Sequence, residues 1–189
     1  MYTDSLKQVK SKEEVAIPQG VQVEISGPII KVTGPLGSIT KDLSKSRVKV
    51  AKLEDKLEIS TDIKGRRGKA IVGAVAKKIS NMMRGVRVQY RVNMKLVFSH
   101  FPPAIEAQGR VLSVKNFMGE RVPRKVSIPD GVKVEVNGQD MVVTGMDIES
   151  TTQFAGSVEN ATATKGKDQR IYLDGIYVRN KGYEDELGR

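Results

Sequence analysis

Apolar and polar residues alternate in two stretches of the chain that are close copies of each other. Residues 17–34 read IPQGVQVEISGPIIKVTG and residues 128–145 read IPDGVKVEVNGQDMVVTG, and ten of the 18 aligned positions are identical. The alternation predicts half-buried strands, and the β-branched second halves predict return strands. Gly27 and Gly138 stand where a tight turn needs positive φ. Each copy is therefore predicted to be a β-hairpin, and the long spacing indicates a duplicated domain.

Each hairpin is followed by a segment with the apolar period of a helix. Residues 67–84 place one apolar face toward a core, and the methionines there fit core packing better than a binding surface. Residues 148–163 form the second segment, with Asp147 as a candidate N-cap. The apolar positions that define the two faces are Ile71, Val75, Ile79 and Met82 in the first, and Phe154, Val158 and Ala161 in the second.

The remaining apolar runs predict further strands, at 36–42, 47–52, 56–60, 94–99, 110–116 and 121–128. Short strands with one helix in each half predict an α+β fold, made of two tandem duplicated domains with a small, mostly antiparallel sheet each. The expected organisation is an N-terminal extension at 1–14, a first domain at 15–90, a second domain at 91–182 and a flexible acidic tail at 183–189.

Charge points to a polyanionic partner. The 189 residues carry a formal net charge of +10 and a pI near 9.7. Nucleic acid is the first interpretation, an acidic membrane the second and an ordinary basic surface the third. The charge is uneven, because residues 1–93 carry a net +10 and residues 94–189 a net zero. The sequence shows no apolar run of membrane-spanning length and no signal peptide, so we expect a cytoplasmic protein without membrane contact.

Residues for catalysis or metal binding are scarce. The chain has no Cys and a single His, His100, directly after Ser99. Neighbours on a strand point to opposite faces, which makes a Ser–His pair a poor interpretation. We expect His100 to be structural or to face RNA, and we expect no enzyme activity, no metal site and no cofactor.

Basic clusters are the candidate binding residues. The stretch GRRGKA opens the first helix, where free N–H groups and the dipole favour an anion. Aromatic residues interleave with the later clusters, and Tyr172 and Tyr177 fit either base stacking or the core of a terminal strand. For GRRGKA the alternative is a solvated basic loop. The cluster residues are Gly65, Arg66, Arg67 and Lys69; Arg121, Arg124 and Lys125; Lys165, Lys167 and Arg170; and Arg179 and Lys181.

Several motifs together resemble one protein family. They are the duplicated hairpin, VTGPLGSI, NMMRGV, FSHFPP, VKNFMGER and YLDGIYVRNKG, and they cover about residues 15–182. In this order they resemble the L-six family of large-subunit ribosomal proteins, in its archaeal and eukaryotic branch. By this resemblance, Gly65 and Arg67 match the family's Gly-x-Arg at the start of the first helix, and Gly119–Arg121 match its loop of Gly, Glu and a basic residue. Asp174–Tyr177 match its C-terminal motif, which in the family lies close to rRNA.

The resemblance also implies a function. It implies a structural, non-catalytic constituent of the large subunit that binds large-subunit rRNA near the sarcin–ricin loop and the stalk base. The implied partners are that rRNA, neighbouring large-subunit ribosomal proteins and, by proximity, translational GTPases, on a cytosolic ribosome. The alternative is a basic, non-ribosomal scaffold that binds nucleic acid.

Overall fold

The chain divides into two compact units, residues 1–87 and 88–189. The structure, a computed structural model, describes residues 11–99, 101–168 and 170–187. The first unit contains β1 Ser11–Ala16, β2 Gln22–Ser26, β3 Ile29–Gly34, β4 Gly37–Asp42, β5 Lys49–Leu53, β6 Lys56–Thr61 and α1 Gly65–Gly85. The second contains β7 Tyr90–Val97, β8 Ala104–Gln108, β9 Val111–Lys115, β10 Arg124–Ser127, β11 Val132–Asn137, β12 Asp140–Gly145, α2 Ile148–Ala161, β13 Gly175–Tyr183 and α3 Glu184–Leu187.

In the first unit, two three-stranded antiparallel sheets enclose a core with α1. Their orders are β1-β6-β5 and β2-β3-β4. The helix packs against β1, β6 and β3. Its buried face carries the residues expected from the helical period, including Val75, Ile79 and Met82. These side chains meet the buried residues of the sheets, such as Val32 and Ile59, because each strand alternates between core and solvent.

The second unit has a three-stranded sheet, β10-β9-β8, and a four-stranded sheet, β11-β12-β7-β13. The helix α2 packs on β7, β10, β12 and β13 through Phe154 and Val158. Asp147 caps the helix as predicted, because its carboxylate accepts hydrogen bonds from the amides of Glu149 and Ser150.

The two predicted hairpins are confirmed, and they have the same register. Val23 pairs with Val32 and Val134 with Val143, each partner 111 residues after its counterpart. Gly27 and Gly138 turn the chain with φ of 62° and 63°. The α+β fold with two duplicated sheet arrangements is also confirmed.

The remaining strands match as well, but in a different chain order. Sheet β1-β6-β5 corresponds to β10-β9-β8, and sheet β2-β3-β4 corresponds to β11-β12-β7. The pair Ala16–Lys56 between β1 and β6 matches the pair Ser127–Val111 between β10 and β9. The matching residues of β1 and β10 are therefore 111 positions apart, whereas those of β6 and β9 are 55 apart. The second unit therefore repeats the sheets of the first with a cyclically permuted strand order, and β13 is an addition.

The structure corrects the sequence prediction at both ends. Ser11–Glu14 falls in the expected N-terminal extension at 1–14, but it forms the first part of β1 and pairs with β6. Tyr183 was assigned to a flexible tail, but its ring packs edge-to-face on Tyr90 with centroids 5.1 Å apart, and α3 follows it. Both segments are polar at their solvent face, which hid them from a search for apolar runs.

Other strand boundaries differ as well. The strand predicted at 121–128 is shortened to Arg124–Ser127, since Pro123 has no N–H to donate to a ladder. The strand predicted at 94–99 runs from Tyr90 to Val97. His100 lies outside the described residues. No helix in the described parts of the chain is long and apolar enough to cross a bilayer.

Candidate nucleic-acid interface

Three loops of the second unit meet at one end of its sheets. Val97 at the end of β7 pairs with Gly175 at the start of β13, and the Ser99 amide donates to Asp174 Oδ1 at 3.1 Å. Asn116 Nδ2 donates to the Pro102 carbonyl at 3.2 Å. We call this region the loop end, consisting of residues 99–103 without His100, 116–125, and 162–174 without Gln169. It brings together the described residues of the FSHFPP, VKNFMGER and YLDG motifs, which are far apart in the sequence.

The loop between α2 and β13 is anchored at both sides. Thr162 Oγ1 donates to the Val158 carbonyl at 2.9 Å and accepts from the Ile176 amide at 3.1 Å. Between these anchors, the Asp168 carbonyl accepts from the amides of Ile171 and Tyr172 at 3.0 and 2.9 Å. The loop is therefore a defined turn that carries its basic residues on the surface.

The acidic side chains of the loop end are already used inside the protein. Glu120 binds Arg124, and the hydrogen bonds from that guanidinium lower the pKa of Glu120 below its ordinary value. The side chain of Arg170 lowers the pKa of Asp168 in the same way. Asp174 is 5% exposed and accepts from Ser99. What faces solvent is consequently dominated by cations.

Four of the predicted cations at the loop end are exposed. Arg121, Lys125 and Lys165 make no ion pair with any described residue. The ammonium of Lys167 lies 4.7 Å from the centroid of the Tyr172 ring. The two remaining cations have partners: Arg170 binds Asp168 and stays at the surface, while Arg124 turns inward.

Arg124 differs from Arg121 and Lys125, although all three basic residues are predicted to bind RNA. Nη1 donates to the carbonyls of Ala161 and Ala163, and Nε and Nη2 donate to the Glu120 carboxylate. The guanidinium also lies 4.3 Å from the centroid of Phe117, which is buried. Phe117 was not predicted to contribute, and the four-residue spacing of Glu120 and Arg124 is the only sequence signal for their ion pair.

The predicted Asp174–Tyr177 segment divides by exposure. Asp174 and Gly175 are buried, whereas Tyr177 is 45% exposed on β13. A Cβ on Gly175 would lie 2.9 Å from Tyr177 Cζ, so the ring rests against the Gly175 backbone. Tyr172 is also partly exposed, at 39%. The core alternative for the two tyrosines is therefore wrong.

Other residues lie away from the loop end. Arg179 and Lys181 are exposed further along β13, where a register shift occurs between Val178 and Asn180.

The exposed apolar residues at the loop end were not predicted, because charge patterns give no signal for them. They are Phe101, Val122, Ile171 and Leu173.

The candidate residues of the first unit cluster at the start of α1. Gly65, Arg66, Arg67 and Lys69 are all exposed. The N-cap residue Lys64 makes no side-chain capping bond, and the described first turn contains no acidic residue. Cations at the positive end of a helix dipole are unfavourable by themselves, and a bound anion would offset this.

Charge is segregated along the second unit. Tyr90, at the other end of β7, pairs with Gly145 and Tyr183, so the segments that follow these residues lie opposite the loop end. Those segments carry five acidic side chains: Asp147, Glu149, Glu184, Asp185 and Glu186. The net charge of zero over residues 94–189 thus hides one basic end and one acidic end. The described side chains form no cluster of three or more metal-binding groups.

Comparison with known proteins identifies the family. The model of the family described as ribosomal protein L6 matches residues 17–89. The chain is 43% identical to the large ribosomal subunit protein uL6 of Staphylothermus marinus over 92% of this chain and 96% of that one. It is 40% identical to uL6 of Aeropyrum pernix over 96% and 98%, and 37% identical to uL6 of Methanosphaera stadtmanae over 92% and 95%. By this identity over nearly its whole length, the chain belongs to the ribosomal protein L6 family.

Proposed function

We propose that this protein is a structural constituent of the large ribosomal subunit and binds large-subunit rRNA through the loop end of its second unit. The observation that carries the proposal is the arrangement of charge there: the acidic groups are satisfied internally, and Arg121, Lys125, Lys165 and Lys167 face solvent. The uL6 relatives, named as large-subunit proteins, support the assignment to that subunit.

The binding mechanism follows from these groups. Exposed ammonium and guanidinium groups neutralise phosphates and release counterions, and the fixed loops fit folded RNA by shape. Tyr172 and Tyr177 offer partly exposed rings on which unpaired bases stack. The start of α1, with Arg66, Arg67 and Lys69, is a second phosphate contact. Arg170, Arg179 and Lys181 extend the basic surface of the second unit.

The family resemblance supports a more specific location. We place the protein near the sarcin–ricin loop and the stalk base of a cytoplasmic ribosome, next to other large-subunit proteins and within reach of translational GTPases. The role is structural and includes no chemical step.

Sedimentation of the tagged protein from a lysate tests the assignment. Tagged protein should sediment with the large subunit through a moderate salt wash, and ribonuclease should move it to the top of the gradient. The isolated protein should lose roughly a thousandfold in affinity for large-subunit rRNA between 50 and 200 mM salt if it contacts about six phosphates. Sedimentation apart from ribosomes, with equal affinity for unrelated RNA, would instead favour a non-ribosomal nucleic-acid scaffold.

A further inference from the structure

Arg124 is surrounded by protein groups on most of its polar surface. A guanidinium has five N–H donors. Nε donates to Glu120 Oε2 at 2.9 Å and Nη2 to Oε1 at 2.5 Å, while Nη1 donates to Ala161 O at 2.8 Å and Ala163 O at 3.3 Å. The Phe117 ring covers one face, and the side chain is only 24% exposed. Little of this group is left for a phosphate.

These contacts join two loops that are distant in sequence. Glu120 belongs to the 116–125 loop, whereas Ala161 is the last residue of α2 and Ala163 opens the loop that leads to β13. The last carbonyls of a helix have no partner within the helix and carry the negative end of its dipole, so a cation stabilises them. The side chain of Arg124 therefore binds the carbonyls at the C-terminal end of α2 and connects that end to the 116–125 loop.

We infer that Arg124 is a positioning residue for RNA binding: together with Glu120 it holds the 116–125 and 162–174 loops in one arrangement, and it is not itself a phosphate contact. The inference rests on the proposed function. Arg121 and Lys125 lie on one loop, and Lys165 and Lys167 on the other. Loops fixed before binding lose less conformational entropy when RNA orders them, which raises affinity.

Substitution by lysine separates positioning from phosphate binding. Lysine keeps the charge but cannot form the two-pronged contact with Glu120 and also reach both carbonyls. We expect Arg124→Lys to lower affinity for deproteinised large-subunit rRNA by about tenfold or more, through lost pre-organisation. The control Arg110→Lys makes the same exchange at an exposed arginine outside the loop end, and it should bind within about twofold of the unchanged protein. Wild-type affinity of Arg124→Lys would overturn the inference.

Salt dependence and hydrogen exchange supply two further readouts. Arg124→Met combined with Glu120→Gln removes the pair without changing the net charge. Affinity should fall while the slope of log affinity against log salt stays unchanged, whereas loss of a phosphate contact would reduce the slope by about 0.9. Amide exchange of residues 162–168 should become faster in the free protein. An unchanged exchange rate, or a reduced salt slope, would contradict the inference.

The effect of the Arg124–Glu120 pair on RNA affinity can be distinguished from its effect on stability, and from a failure of the proposed function. Glu120→Gln keeps Arg124 and its helix contacts, so it tests the Arg124–Glu120 pair if the Arg124 variants do not fold. This variant should also weaken RNA binding. A variant that melts earlier but binds rRNA normally below its melting temperature would show a merely structural role and overturn the inference. If the unchanged protein does not bind rRNA, the proposed function fails, while hydrogen exchange still shows whether the Arg124–Glu120 pair holds the 162–174 loop in place.

Discussion

Tyr177 lies on β13 with its ring against the backbone of Gly175, and its other side faces solvent. This close approach requires that residue 175 has no side chain. An aromatic ring that is held against a strand and partly exposed is a surface on which a base can stack, and such stacking contributes about 1–3 kcal/mol per base. The pair explains why a buried glycine occurs within a predicted binding motif.

Gly175→Ala should move the Tyr177 ring. The added methyl would approach Cζ and Oη at 2.9 Å, but these atoms end a flexible side chain with solvent beyond it. We expect the free energy of unfolding in urea to fall by less than about 1 kcal/mol. Affinity for large-subunit rRNA should fall about fivefold or more, as for Tyr177→Ala.

Tyr177→Phe is the matched control, because it keeps the ring and should bind nearly as well as the unchanged protein. If Gly175→Ala unfolds the protein easily but leaves the affinity of the folded form unchanged, the glycine serves only the fold.

At the residue scale, the sequence predicted where basic residues cluster, but not whether each basic side chain faces solvent or binds other groups of the protein. Arg121, Arg124 and Lys125 are chemically similar and close in sequence, and only the spacing of Glu120 and Arg124 sets one of them apart. The difference is made by Ala161 and Ala163, whose carbonyls come to Arg124 only after α2 has packed. Asp174 is a comparable case, since its burial depends on the Ser99 amide from a distant strand end.

The helix α1 shows how an element depends on its closest contacts. Gly68 lies in the first turns, and a Cβ there would be only 2.0 Å from the Ile63 carbonyl oxygen. Gly73 lies further along the same helix, where a Cβ would meet only a Glu13 carboxylate oxygen at 3.5 Å. Backbone cannot move aside as a side chain can, so the two glycines should respond differently to substitution.

Gly68→Ala should destabilise the protein by about 2–3 kcal/mol, the usual cost of forcing atoms into an occupied space. Gly73→Ala should stabilise it by about 0.5–1 kcal/mol, because alanine favours the helical state over glycine. Urea unfolding of the two variants gives both values. Equal changes of the same sign would mean that the start of α1 does not approach Ile63 as closely as described.

At the element scale, prediction worked where one face of an element is buried. The hairpins and both long helices have clear apolar periods, and each lies within a few residues of its predicted bounds. The strand β1 was missed because its SKEEVA sequence is mostly exposed. The strand β13 was offered only as an alternative for two tyrosines, because its middle is exposed and only its ends are buried. Edge strands of this kind form by pairing with a neighbour, which a single segment does not reveal.

At the scale of the whole molecule, the hairpin repeat was visible and the permuted strand order was not. The matching hairpins keep ten identical residues, whereas β7 to β9 match β4 to β6 in register alone. The place of a strand in a sheet depends on which strands it pairs with and not on its order in the chain. A permuted strand order therefore produces no repeat at one constant spacing in the sequence. Charge shows the same limit, since a sum over residues 94–189 gives zero although the two ends of the second unit differ in sign.

This segregation of charge leads to a prediction about salt. Lys165 and Lys167 belong to the loop end. Arg110 and Lys133 lie toward the opposite end, beside Ile128 and in the pair with Thr144. Lys165→Gln/Lys167→Gln and Arg110→Gln/Lys133→Gln each lower the net charge by the same amount, so they are matched for overall attraction to RNA and differ only in position.

If phosphates bind at the loop end, the Lys165→Gln/Lys167→Gln variant should reduce the slope of log affinity against log salt by up to about 1.8, with a large loss of affinity near physiological salt. The other variant should keep nearly the slope of the unchanged protein. Fluorescence anisotropy with labelled large-subunit rRNA at several salt concentrations measures both. Equal losses in the two variants would mean that RNA responds to the total charge of the protein, and the loop end would then have no special role in binding.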